Sequence, residues 1–225
     1  MTLVASILPL ALLGALLGLD VVSFPQAMIS RPLVAATLAG ALVGDPGRGL
    51  LVGVVLELFA LEMLPFGASR YPEWGSASVV GGALYSTQPA ASGGALAVSV
   101  FAALVTAAAG GWSMVQHRRL IARRATANRG EVTADSITAL QLWGLTSDFV
   151  RGAILTGLVL LLFLPLAHEL LAGWKADAAL SRAVVVALAG AVGGAAVWNV
   201  THTFKSAPWL FLGGLALGTC LLVAA

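Results

Sequence analysis

The sequence has very little charge. Of its 225 residues, 12 are Lys or Arg and 10 are Asp or Glu. That is 10% of the chain, against about 25% in a soluble domain. Too few polar side chains are present to cover a water-facing surface. With 59% hydrophobic residues and a mean hydropathy of +0.96, lipid is its main solvent. Cysteine is nearly absent: Cys220 stands alone in an apolar run, which excludes an internal disulfide framework and suits a small buried hydrophobe. The three histidines, His117, His168 and His202, have no metal-ligand spacing. GxSxG, HExxH, Walker A and GxGxxG motifs are missing. No catalytic residue, metal or cofactor is therefore expected, and if the chain moves a solute actively, the energy has to come from an ion gradient or a partner protein. The net charge of +2 comes from one basic stretch, so no nucleic-acid partner is expected. No Arg or Lys precedes the first apolar run, so that run reads as a transmembrane helix and not a cleavable leader.

About 20 apolar residues span a bilayer as a helix. Four runs approach that length, at 3–22, 93–115, 152–173 and 183–200, and a slightly shorter one covers 208–225. The segment 33–88 is different: it holds three short pieces, 33–44, 49–64 and 74–88, each bounded by Pro, Gly or charge. Half-helices and re-entrant hairpins leave this signature. The expected fold is an all-α integral membrane protein whose transmembrane helices include broken or re-entrant helical hairpins. Its expected parts are a membrane region at 1–115 with a re-entrant core at 33–88, a basic cytoplasmic loop at 116–151, and membrane helices at 152–225. HRRLIARRATANR in that loop fixes the cytoplasmic side. If 33–88 makes no net crossing, the N-terminus lies on the same side. Ile137, Leu140, Trp143 and Leu145 share one side of an amphipathic helix within the loop. Gly14/Gly18, Gly49/Gly53, Gly190/Gly194 and Gly214/Gly218 have the spacing of close helix packing.

Glu57 sits among aliphatic residues in LLVGVVLELFALEML. A lone carboxylate in hydrocarbon costs at least ~2.5 kcal/mol, so it faces protein or water, or is protonated. Glu62 lies about 140° round the helix from it, near the end of the segment. Asp45-Pro46-Gly47-Arg48 is a turn signature and reads first as a hairpin tip. Gly67 and Ala68 belong to a small-residue turn with free backbone groups. Glu73 beside Trp74 offers a carboxylate and an aromatic face, which suit a neutral polyol. Asp20 and Gln26 flank the exit of the first helix, where they line a vestibule or cap an interface.

RPLVAATLAGALVGD, GRGLLVGVVLELFAL, the small-residue turn and the Pro-acidic step together resemble the IIC subunits of the mannose/fructose/sorbose family of the bacterial phosphotransferase system. AVVVALAGAVGGAAVWNV and SAPWLFLGGLALG extend the likeness to the later helices. The resemblance implies a multi-pass subunit of the bacterial cytoplasmic (inner) membrane that translocates a hexose-like sugar. It implies a IID membrane partner, a cytosolic IIA/IIB pair relaying phosphate from phosphoenolpyruvate, and a multimer. It also implies that Glu57, Glu73, Gln26, Gly67, Ala68 and Asp45 form the substrate-binding region. The chain departs from the family in stopping at Ala225 and in the longer link between Asp20 and Arg31. A non-transporting regulatory or structural membrane subunit, or the substrate-binding subunit of another importer, are the competing readings.

Overall fold

The structure is a computed structural model that describes residues 3–21, 23–62, 70–127 and 133–173, with short stretches between 179 and 214. Among the described residues there is no strand. Among the residues described up to 173 the helices are, in order, α1 Leu3–Asp20, α2 Pro32–Leu42, α3 Pro46–Glu62, α4 Trp74–Ser86, α5 Gly93–Ala127 and α6 Ala134–Ala172. The chain is all-α, and α5 and α6 are long and apolar enough to cross a membrane. At 1.5 Å per residue they measure about 52 and 58 Å, against about 30 Å of hydrocarbon. Both therefore project beyond the bilayer. The basic run continues α5 to Ala127, and Ala134–Arg151 opens α6, held by a Thr133/Ser136 capping box. The described part of 116–151 is thus two helix ends.

The three short pieces are helices of 11, 17 and 13 residues. Pro32 and Pro46 start α2 and α3 at positions where a missing N–H costs nothing. Gly44, at φ +97°, reverses the chain between them in a conformation that Cβ-bearing residues resist. The hairpin closes tightly: a methyl group at Gly53 would sit 2.8 Å from the Pro32 carbonyl oxygen, and one at Gly49 still closer, 2.3 Å from the Ala36 carbonyl oxygen. Gly49/Gly53 is therefore the packing stripe of the α2–α3 pair.

α4 is the centre of the molecule. Every residue from Gly75 to Ser86 is buried, and α4 packs against α1, α2, α3, α5 and α6. Its sequence, WGSASVVGGALYS, is small enough to admit five neighbours. A helix of 13 residues is too short to span lipid alone, but this one meets protein on all sides.

The packing register gives the direction of each helix. Gly14 faces Thr156, and Gly152 faces Ala15, so α1 is antiparallel to α6. The end of α1 accordingly lies on the side reached by the arginines of α5. The α2–α3 hairpin leaves and returns on that basic side, with its tip bonded to the far end of α4 (Ser86 Oγ to Asp45 O, 3.0 Å). The backbone N–H of Glu73 donates to Ala107 O at 3.0 Å, and Gly81 abuts Ala103, so α4 is antiparallel to α5. The start of α1 therefore lies opposite the basic side, contrary to the sequence expectation for the N-terminus. The cause is α4, which carries the segment 33–88 from the basic end of the helix bundle to the opposite end.

Candidate functional site

Three acidic residues of the broken region, Asp45, Glu57 and Glu73, meet helix N-termini, where four backbone N–H groups lack intrahelical partners. Asp45 Oδ1 accepts from Arg48 N at 3.0 Å, and Oδ2 pairs with Arg48 Nε at 3.1 Å. Arg48 also donates to the Gln88 carbonyl, which ties the hairpin tip to the end of α4. Glu57 acts across the hairpin: Oε2 accepts from Leu33 N at 3.1 Å, while Oε1 pairs with Arg31. It thus caps α2 from the side of α3. Glu73 caps its own helix, with Oε1 accepting from Ser76 N at 3.1 Å and from Ser76 Oγ at 2.9 Å. Asp20 organises the link to α2 in the same way, taking Ala27 N at 2.7 Å, Ser30 N at 2.9 Å and Ser30 Oγ at 2.8 Å.

Glu73 differs from the others in being completely buried. Two glycines make room for its carboxylate. A methyl group at Gly110 would lie 2.6 Å from Oε2, and one at Gly18 would lie 3.0 Å from Oε1. Oε2 accepts no hydrogen bond among the described residues. Its nearest charge is Nη1 of Arg151, at 3.7 Å. Arg151 donates from Nε to Asp148 Oδ1 at 2.7 Å and from Nη1 to Ser113 Oγ at 2.9 Å. Its Nη2, like Nε1 of Trp74, is buried without a hydrogen-bond partner among the described residues. His117 extends the network, with Nδ1 3.9 Å from Asp148 Oδ1 and Nε2 2.7 Å from Ser147 Oγ.

This network backs onto a cavity of about 960 Å³ on the basic side. Gln26, Tyr71, His117, Arg118, Gln141 and Asp148 are among its lining residues. Tyr71 is fixed there by Arg118, which bonds its hydroxyl and lies 5.0 Å from its ring centroid. Gln26 reaches the cavity from an exposed loop position at φ 59°, in the left-handed region. The predicted residues therefore do not share one set of contacts. Gln26 lines the cavity, Glu73 lies behind it through Arg151 and Asp148, Glu57 pairs with Arg31, and Asp45 holds the hairpin tip. Gly67 and Ala68 lie outside the described residues. Sequence reasoning did not single out Arg151, Asp148 and His117. The available signal was an i,i+3 Asp148–Arg151 pair opening the apolar run at 152–173.

The arrangement suits binding more than bond-making. Oε2 of Glu73 is an acceptor without a described partner, and the Arg151 guanidinium, whose Nη1 lies 3.7 Å away and bonds Ser113 while Nη2 has no described partner, is a donor beside it; together they suit one hydroxyl group.

Comparison with known proteins places these features in a family. The family described as the phosphotransferase (PTS) system sorbose-specific IIC component matches residues 4–222. The chain is similar to the fructose permease IIC component of Bacillus subtilis (strain 168), with 35% identity over 94 residues, 42% of this chain and 35% of the relative. It is similar to the sorbose-specific EIIC component of Lacticaseibacillus casei, with 40% identity over 50 residues, 22% of this chain and 18% of the relative. The mannose-specific EIIC component of Escherichia coli (strain K12) shares 37% over 75 residues, 32% of this chain and 28% of the relative. The matched segments thus span about a third or less of these relatives' lengths. A solved structure titled "Structure of membrane protein" superposes with a TM-score of 0.69 at 22% identity, covering 100% of this chain and 94% of the other, and shares its fold.

Proposed function

The chain belongs to the PTS system sorbose-specific IIC component family, and on that premise we propose that it is the sugar-translocating membrane subunit of a phosphotransferase system. Its substrate is a hexose-like sugar, and its membrane is the bacterial cytoplasmic membrane, crossed several times. The basic side faces the cytoplasm, because arginines near helix ends are retained there. Its partners in this reading are a IID membrane subunit and a IIA/IIB pair that carries phosphate from phosphoenolpyruvate to the arriving sugar.

One observation carries the reading: a buried carboxylate and guanidinium with unused hydrogen-bonding atoms behind a large cavity. A buried polar atom without a partner costs about 1–3 kcal/mol. A sugar hydroxyl that donates to Glu73 Oε2 and accepts from Arg151 would remove that cost. Gln26, in the cavity wall, meets the sugar earlier on its path. Glu57 lies in a second polar position at the start of α2, and Gly67 and Ala68, outside the described residues, belong to the proposed binding region by resemblance to the family. Asp45 contributes through the hairpin that positions α4. The test is sugar uptake in cells expressing this chain with IID, IIA and IIB. Uptake that depends on this chain and falls with Glu73→Gln supports the reading; equal uptake without the chain defeats it.

A further inference from the structure

The outward face of α5 changes character along its length. Phe101, Val105, Ala108 and Trp112 follow one another at helical spacing and are all exposed. From Phe101 to Trp112 the stripe rises about 16 Å, close to the hydrocarbon depth of one leaflet. Trp112, 56% exposed, stands where aromatic side chains mark the membrane–water boundary. Beyond it the same face carries Gln116, Arg119, Leu120 and Arg123, also exposed. The order is apolar, then amphipathic, then basic.

A second cavity, of about 440 Å³, opens on this face and is lined in part by Trp112, Ser113, Gln116, Arg119, Arg123 and Arg151. Cα–Cβ bonds tilt toward a helix N-terminus, so Arg119 and Arg123 lean back toward Trp112 and the bilayer. Among the described residues, no carboxylate pairs with either of them. Arg151, fixed to Ser113 at 2.9 Å, brings a third guanidinium whose Nη2 has no hydrogen-bond partner there. Arg119 and Arg123 line the pocket without a carboxylate beside them, and Arg151, which also pairs with Asp148, adds a third guanidinium; a lining with three cations and no described anion suits an anionic ligand. The apolar stripe leading into the pocket calls for one with acyl chains.

We propose that this pocket is a binding site for an anionic phospholipid, with acyl chains along Phe101, Val105 and Trp112 and its phosphate among Arg119, Arg123 and Arg151. Basic pockets between transmembrane helices on the cytoplasmic side hold headgroups in this way. Occupancy of the site needs only membrane insertion and is measured without sugar transport. A lipid phosphate there also shares Arg151 with Glu73, and so touches the far end of the buried network.

The test is retention of lipid by the full chain. The protein is reconstituted in nanodiscs of phosphatidylcholine mixed with phosphatidylglycerol, extracted in detergent, and its bound lipid counted by native mass spectrometry. Phosphatidylglycerol is expected to be retained over phosphatidylcholine. Arg119→Gln with Arg123→Gln should weaken that retention about thirtyfold, each arginine near an anionic surface contributing about fivefold. Arg124→Gln, altering a side chain stacked on Trp143 at 3.8 Å instead, should leave it unchanged, and Arg119→Lys with Arg123→Lys should largely restore it. Equal retention of the two lipids, or no loss in the double Gln variant, would overturn the proposal. Complete displacement of the lipid by millimolar inorganic phosphate would overturn it too, assigning the pocket to a free phosphate ester.

Discussion

Nη1 of Arg151 stands 3.7 Å from Oε2 of Glu73, beyond direct hydrogen-bond reach and close enough for one hydroxyl oxygen to bridge them. Glu73 is wholly buried, and Arg151 keeps only 12% of its side chain exposed. Arg151 also holds Asp148, so one cation serves two carboxylates.

Removing that cation should hurt more than neutralising one carboxylate. Arg151→Met leaves Glu73 and Asp148 facing each other's surroundings without a positive charge. A broken buried pair of this kind costs about 3–5 kcal/mol. Thermal unfolding in detergent should show a lower midpoint for Arg151→Met than for Glu73→Gln, which keeps the shape of the cap.

Gly110→Ala should crowd the carboxylate. The added methyl would lie 2.6 Å from Oε2 and 2.7 Å from Cβ of Glu73, and 3.1 Å from Cδ2 of Leu155. Overpacking of this kind costs about 1–3 kcal/mol. Gly157→Ala is the control, because its methyl would meet only Ala11 Cβ at 3.7 Å, an ordinary contact. Unfolding midpoints of the two variants should separate accordingly.

Asp45 and Glu57 should separate architecture from binding. Asp45→Ala removes the cap of α3 and its bond to Arg48. A lost cap costs about 1 kcal/mol, and sugar affinity should fall less than with Glu73→Gln, because Asp45 acts only through the hairpin that positions α4. Arg31 and Glu57 should couple in a double-mutant cycle by about 0.5–3 kcal/mol, read from unfolding midpoints.

Sidedness is checked by labelling. In a Cys220→Ser background, Ser23→Cys and Thr126→Cys should react with a membrane-impermeant thiol reagent from the same side, and Ser92→Cys from the other. Labelling of position 23 with position 92 would contradict the antiparallel packing of α1 on α6.

Much of this was legible in the sequence, because the breaks are made by residues with strong local preferences. Pro32, Pro46 and the acidic caps delimit α2, α3 and α4 close to the pieces expected at 33–44, 49–64 and 74–88. The all-α membrane class followed from hydropathy alone. The long reach of α5 did not, because hydropathy reports solubility in lipid, and HRRLIARRATA forms helix as readily in water as any apolar run does in a bilayer. The direction of α1 was also hidden. It depends on α4 running from one end of the bundle to the other, packed among five neighbours. The partner of Glu73 was not legible either, since Arg151 reaches it through tertiary packing and no local spacing records that contact.

The most direct measurement is equilibrium binding of a hexose to the reconstituted chain with its IID partner, compared with Glu73→Gln. A hydrogen bond to a charged group contributes about 1.5–3 kcal/mol, so affinity should fall at least about tenfold with helicity unchanged. A well-folded Glu73→Gln protein that binds sugar as tightly as the parent would contradict a role for this carboxylate in holding the substrate.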